Sequence, residues 1–511
     1  MPKRPDQEEL TREVEDILRA ELGRTEAARR ELTRTGQLAP LTEHDLLVLR
    51  DADEELLQAG RRLLDLLDVP PTIQAIPRFA YALRRSVTAR TALLRHTPPI
   101  SGQPRALDPA QHARSIRKPW TIDYARSGAQ LFLNDERGLS ARDHPLLRQA
   151  TERIIETIYP ERPLSALLFS SGMGAINTAL DDLAHEARHQ GRTNVIGGHS
   201  WMEVQEYVRV EHPDVFDFVD ETDAAALARA LSNPSILGVC LETIVNHPDM
   251  PVVPLLTAAR SSPKAEDKVL LLDCAHTPEY HAPAVRACLP TTPILTVVSG
   301  VKFLQAGWDL SKAGLISIWP APKASAIASR MMELRERSGR TPSYEEAFLA
   351  SFETRSSFTS RLARYDRNTE LTAQKITHAT ANLEGVMVCS PWLADHQGYE
   401  TARTHYGTGG RFLYVRYAPE HFGPDAALRI ERAIGEKASA EGRTIVSACT
   451  FGLASPHINV IVHPVEGPVL RISPGSAPWE EIESTIDLCA HCLARPPAAL
   501  STKISVPRAR R

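Results

Sequence analysis

The sequence predicts an α/β protein: a large, mostly parallel sheet flanked by helices, a smaller C-terminal α/β domain and a helical N-terminal extension. Three observations carry this. Between about residues 120 and 320, short apolar runs alternate with helical stretches, as a parallel sheet wrapped by helices requires. After about 375 a second, smaller set of strand-like runs follows. Before 95, apolar residues recur at helical spacing.

In chain order, Leu10, Val14, Ile17 and Leu18 form the first helical stripe. Leu49, Leu56 and Leu63 recur every seven residues, with Leu57 and Leu64 beside them, until Pro70-Pro71 stops the pattern. This is too short for a long coiled coil and predicts a helical hairpin within 1–95, packed on the body or on another subunit. Residues 96–119, rich in proline and polar side chains, read as a linker. The large domain is expected over 120–375. Its strand-like runs are SALLFSS, TNVIGG, ILGVCLET, KVLLLDCA, ILTVVSG and AGLISIW, and 323–345 and 352–385 read as long helices. The small domain, 376–511, carries RFLYVRY, a helix near 425–441, TIVSACT, INVIVHP, VLRISPG and a closing helix at about 478–494.

Composition narrows the function. The chain has 511 residues and a formal net charge of -4, with 24% charged residues. That lacks the basic excess needed to neutralise a nucleic-acid backbone. No apolar run reaches the length of a membrane span, and MPKRPDQEELTREVEDIL lacks the apolar core of a signal peptide. Seven scattered cysteines suit a reducing compartment, so a cytoplasmic location is expected. Cys489 and Cys492 form a CAHC tetrapeptide without a second pair. They read as helix neighbours, and no metal site is expected.

In open parallel sheets, ligands collect at the carboxyl ends of the strands. Four clusters fall at strand ends or in strands. In SSGMGA (170–175), Ser171, Gly172 and Met173 lie where a strand turns into a helix, a place suited to an anion such as phosphate. In LLLDCAH, Asp273 ends an apolar strand. It reads either as an N-cap or as a carboxylate that keeps a pyridine nitrogen protonated, the partner pyridoxal 5'-phosphate needs. In VSGVKFLQAGWD, Lys302 stands in an apolar neighbourhood. It reads either as a lysine snorkelling to water or as one that forms a Schiff base in a shielded pocket. In VLRISPG, Arg471 lies between apolar residues and reads as a carboxylate anchor or a structural ion pair.

Phosphate cradle, carboxylate, lysine and late arginine, in that order, resemble the fold-type I pyridoxal-phosphate enzymes. More narrowly, residues 120–495 resemble the cystathionine γ-synthase and γ-lyase family, which includes methionine γ-lyase. YAR at 124–126 is similar to the family's Tyr-x-Arg, and LLFSSGMGAI to its phosphate-binding turn. LETIVNHP resembles its Glu-Thr-x-x-Asn-Pro segment, and VLRISPGSAPWEEIE its carboxylate-binding motif. The resemblance implies that Lys302 carries the cofactor and that Asp273 faces its ring nitrogen. Asn246 would contact the ring hydroxyl, and Ser171, Gly172, Met173 and Ser299 the phosphate. Tyr124 and Arg126 would reach the cofactor phosphate of a neighbouring subunit, so at least a homodimer, and often a homotetramer, is expected. Arg471, with backbone near Thr450, would hold the carboxylate of an amino-acid substrate.

The departures from the family bear on the reaction. The family's Ser-x-Thr-Lys is Ser299-Gly300-Val301-Lys302 here, one hydroxyl fewer for the phosphate. Trp201 stands where the family places a ring-stacking tyrosine that protonates a departing thiol. An indole stacks but has no useful acid–base range, so a leaving group that needs no proton, such as halide, is favoured. The alternative is that Tyr207 or Tyr124 supplies the phenol. Glu203 stands where relatives have a small residue, either to touch substrate or to face water. The expected activity is γ-elimination or γ-replacement on a γ-substituted L-amino acid, with an unsaturated or terminal-alkyne product conceivable in specialised metabolism. The alternatives are a methionine γ-lyase or cystathionine-type C–S lyase, a β-eliminase, an aminotransferase or a non-catalytic scaffold.

Overall fold

The structure, a computed structural model, describes residues 145–494 except 263–266, 308–310, 343, 352, 419–422 and 448–450. It also describes the isolated helical positions 15, 19, 54, 57, 58 and 61. The helical hairpin, the linker, Tyr124, Arg126 and Thr450 otherwise lie outside the described residues.

Helix α1 (Pro145–Ile158) leads into β1 (Ser165–Phe169) and α2 (Gly172–Gln190). Then come β2 (Thr193–Gly197), α3 (Met202–Glu211), β3 (Phe216–Val219), α4 (Ala224–Ser232) and β4 (Ile236–Glu242). They are followed by α5 (Leu255–Arg260), β5 (Val269–Asp273), α6 (Pro283–Cys288), β6 (Ile294–Ser299), α7 (Gly300–Phe303) and β7 (Gly314–Ile318). The seven strands form one sheet in the order β1-β7-β6-β5-β4-β2-β3. Strands β3, β2, β4, β5 and β6 run parallel, whereas β7 is antiparallel to both its neighbours. All seven residues of β4 are buried, so it reads as a continuous apolar run rather than an alternation, as a sheet covered on both faces demands. Helix α2 covers one face through Ala175, Ile176, Ala179, Leu180, Leu183 and Ala187, positions at helical spacing.

The expected helix over 323–345 is shorter. Helix α8 spans Ala324–Arg337, and a separate α9 spans Tyr344–Leu349. Gly339 takes φ +67 and Pro342 follows, and that pair stops the first helix. Helix α10 (Arg355–Thr380) then runs unbroken from the large sheet towards the second. That sheet, of order β10-β11-β12-β9-β8, comprises β8 (Val386–Cys389), β9 (Leu413–Tyr417), β10 (Val446–Ser447), β11 (His457–His463) and β12 (Gly467–Ser473). Helices α11 (Pro424–Ala440) and α12 (Trp479–Leu493) supply Ile430, Ile434, Cys489 and Leu493 to its apolar core. Cys489 and Cys492 are buried and on one helix, as expected.

Candidate active site

Asp273 lies at the carboxyl end of β5, Ser299 at that of β6 with Lys302 just beyond it, and Ser171 just beyond that of β1. At the start of α2, the Ser171 hydroxyl accepts the Gly174 amide at 2.9 Å, and the Ser171 carbonyl accepts that of Ala175 at 3.0 Å. The amides of Gly172 and Met173 have no protein acceptor among the described residues, as expected for a first helical turn open to an anion. A Cβ at Gly172 would lie 2.7 Å from Ser299 Oγ. The Ser299 hydroxyl therefore borders this helix end, and only glycine leaves room between them.

Asp273 ends β5 and is register partner to Glu242 at the end of β4. Asp273 Oδ1 accepts the Ala275 amide at 2.9 Å, and Glu242 Oε2 accepts the Trp201 amide at 3.2 Å. Burial pushes the Asp273 carboxyl up to about 6, with the Lys302 charge opposing. Burial and the neighbouring Asp273 hold Glu242 well above the usual carboxylate range. Two such carboxyls side by side do not both ionise without a cation. Trp201, at the N-cap of α3, lines a small cavity together with Ser200, Glu242 and Asp273. Its indole body thus adjoins the carboxylate pair.

Lys302 lies on the single turn of α7, which starts directly from β6. The turn is pinned by the buried Gln305 side chain, which donates to Gly300 O at 3.0 Å and Ser311 O at 2.7 Å and accepts the Ser311 amide at 2.6 Å. Lys302 Nζ stands 4.4 Å from the centre of the Phe451 ring, close enough for cation–π attraction. Next to it, Gly452 has φ +89, and a Cβ there would lie 1.4 Å from the Lys302 carbonyl oxygen. The loop that precedes β11 therefore presses backbone to backbone on the lysine, which only glycine permits.

Arg471, 2% exposed, lies in β12 opposite Asn459 of β11 and Tyr414 of β9. Its Nε donates to Asn459 Oδ1 at 3.1 Å. Its guanidinium carbon lies 5.3 Å from the ring centres of both Phe412 and Phe451, so Arg471 and Lys302 share the Phe451 ring. Asn246 Oδ1 accepts the Tyr414 hydroxyl at 2.7 Å, which leaves its amide donors for a ligand.

Two alternatives separate here. Tyr207 donates its hydroxyl to Asp181 at 2.5 Å and packs edge-on to His212. Burial and Asp181 push it up to about 12. It is thus committed to a cluster with Asp181, His212 and Arg340. Glu203 is exposed in the first turn of α3, without a hydrogen-bond partner among the described residues.

Glu242, within LETIVNHP, was assigned no role, and His276, Phe412, Tyr414 and Phe451 were missed. Glu242 carried a readable signal, a carboxylate closing the apolar run ILGVCLE. The aromatic residues carried none, because an aromatic in a strand or loop reads as core until its neighbour is known.

No protein-family model and no curated protein matches the chain. Solved structures do. A MetB from Corynebacterium glutamicum matches with a TM-score of 0.56 at 17% identity, over 70% of this chain and 88% of that one. A cystathionine γ-synthase from Xanthomonas oryzae pv. oryzae, in complex with aminoacrylate and cysteine, matches at 0.54 and 18% identity, over 71% and 90%. A methionine γ-lyase from Micromonospora echinospora matches at 0.53 and 17% identity, over 69% and 87%. With its cluster at the carboxyl ends of the strands, the chain is thus built on the fold shared by cystathionine γ-synthases and methionine γ-lyases.

Proposed function

We propose that the protein is a pyridoxal-phosphate-dependent enzyme that performs γ-elimination or γ-replacement on an L-amino acid. The observation that carries the proposal is the convergence of three groups: Asp273 at the end of β5, Lys302 after β6, and Arg471 from the second domain across a shared aromatic ring. The residues present suit that cofactor. The amides of Gly172 and Met173 with the Ser299 hydroxyl offer a phosphate cradle lined by glycine. Asp273 offers a carboxylate for the ring nitrogen, Asn246 retains amide donors for the ring hydroxyl, and Lys302 offers the amine. Val301 contributes no hydroxyl to the phosphate, so the cradle has one side-chain donor fewer than the family pattern.

The bound cofactor supplies an electron sink. The chain's own residues do the rest. Arg471 holds the α-carboxylate, with its fork aimed by Asn459. Lys302 Nζ, once displaced by the substrate amine, takes the proton from the α-carbon and then serves the β-carbon. Asp273, once it faces a cation, gives up its raised proton affinity and keeps the ring nitrogen protonated. Gly452 and the Phe451–Phe412 wall exclude water from the lysine side. Trp201 stands beside the carboxylate pair without an acid–base group, and Tyr207 is engaged elsewhere. That arrangement favours a γ-substituent that leaves without a proton, such as halide, over a thiolate. A subunit partner lending Tyr124 and Arg126 is part of the same proposal.

The test is proton exchange of L-norvaline in heavy water, followed by NMR with the cofactor-loaded protein. Norvaline has no leaving group, so reaction stops after proton abstraction. Exchange at both the α- and β-carbons is the expected result. Exchange at the α-carbon alone would move the assignment to β-elimination or aminotransfer.

A further inference from the structure

His276 lies three residues beyond Asp273, where the chain leaves β5. Its ring is 0% exposed, yet among the described residues neither Nδ1 nor Nε2 has a hydrogen-bond partner. It stacks on Phe451 at 4.9 Å and 27°, and tilts against Phe412 at 4.5 Å and 57°. Those are the two rings that Arg471 borders, and Phe451 is also the ring under Lys302 Nζ. The imidazole, the guanidinium and the ammonium therefore surround one aromatic pair.

Buried polar atoms in folded proteins nearly always have partners, and leaving one unmade destabilises the fold. Phenylalanine would fill the same apolar slot without that loss. Retaining histidine is thus a sacrifice of stability that a ligand contact would explain. Burial first, and then Arg471, Arg411 and Lys302, disfavour a charged ring here. A neutral imidazole offers one N–H donor and one acceptor. Cations and a neutral donor around a dry aromatic wall are complementary to a carboxylate.

We propose that His276 donates a ring N–H to the carboxylate of the amino-acid ligand held by Arg471, as a positioning residue. This rests on the proposed function, since it takes the cleft to be an amino-acid site. The contact orients the carboxylate from the β5 side while Arg471 holds it from β12. The ligand carboxylate then satisfies a buried group that has no partner among the described residues.

The experiment compares wild type with His276→Phe and His276→Gln. Cofactor loading is read first from absorbance, and then the binding of L-norvaline and of 1-butylamine, its analogue without the carboxylate, by calorimetry. Melting temperature is measured on the cofactor-free protein. His276→Phe is expected to melt at or above wild type, to load cofactor normally and to bind norvaline about tenfold or more weakly. Its butylamine affinity should stay unchanged, and His276→Gln should recover much of the norvaline affinity. Unchanged norvaline affinity in His276→Phe would overturn the inference, with an ordered water then satisfying the ring. So would equal losses for both probes, or a lower melting temperature, either of which makes the histidine structural. A wild type that loads no cofactor would overturn the proposed function and this contact with it.

Discussion

At the scale of the residue, the site is a set of groups held in states they would not choose in water. Asp273 and Glu242 are the clearest pair. Both proton affinities are raised, so the cofactor-free fold binds protons that the unfolded chain releases. Stability from such groups is fully present below the ordinary carboxylate range and is lost as pH rises through the folded-state value. Asp273→Asn removes the share of that dependence that Asp273 carries. The unfolding free energy of the cofactor-free variant should therefore gain on wild type as pH rises from 4 to 7, by on the order of 2 kcal/mol, read from thermal melts across pH. An advantage that shrank with pH would show that Asp273 is ionised without its partner. The same variant, loaded with cofactor, should lose at least about a hundredfold in turnover, because an amide cannot hold the ring nitrogen protonated. Lys302, Asp273 and Arg471 were legible at this scale because each is a charged residue in an apolar strand or at its end. His276 was not, because nothing in the tetrapeptide CAHT tells a satisfied core histidine from an unpartnered one.

At the scale of the element, the lysine turn and the loop that covers it form one unit. The four residues of α7 are too short to be stable alone. They are held by Gln305 below and by Gly452 pressed on the Lys302 carbonyl. The Tyr365 hydroxyl secures the loop by donating to Gly452 O at 2.5 Å. Gly452→Ala should cost at least about 3 kcal/mol or abolish the loop's seat on Lys302, combining a steric clash with a disfavoured backbone angle. A denaturant melt and the cofactor absorbance together would read both effects. The strands of the large sheet were legible almost run for run, because buried parallel strands are continuous apolar stretches. Strands β3 and β8, in FDFV and VMVC, were missed. They are short, half-exposed edge strands whose pattern is weak. The long helix expected over 323–345 failed at Gly339, whose left-handed backbone outweighs the apolar periodicity around it.

At the scale of the whole molecule, function depends on how the two sheets meet. Arg411, just before β9, donates to the His276 carbonyl at 2.8 Å and to Glu279 at 2.6 Å, both from the large domain. It also pairs with Asp366 of α10 at 3.0 Å. Burial raises Asp366 to about 6 even with that arginine beside it. Arg411→Ala should cost about 3–5 kcal/mol, because it strands a buried carboxylate. The loss should be smaller below pH 5, where Asp366 takes a proton instead; an equal loss at all pH values would assign it to packing. If sites are shared between subunits, mixing inactive Lys302→Ala with inactive Arg126→Ala chains should restore part of the activity, since a mixed dimer can assemble an intact site. No recovery after verified mixing would make each chain self-sufficient. Among the described residues, no helix is long and apolar enough to cross a membrane.

The central claim is that Lys302 carries pyridoxal phosphate, and the most direct measurement is chemical. The purified protein is loaded with the cofactor, reduced with borohydride, digested and mapped by mass spectrometry. A pyridoxyl adduct is expected only on the peptide containing Lys302, and none on that of Lys302→Ala. An adduct on other lysines at equal yield in both proteins, or none at all, would contradict it.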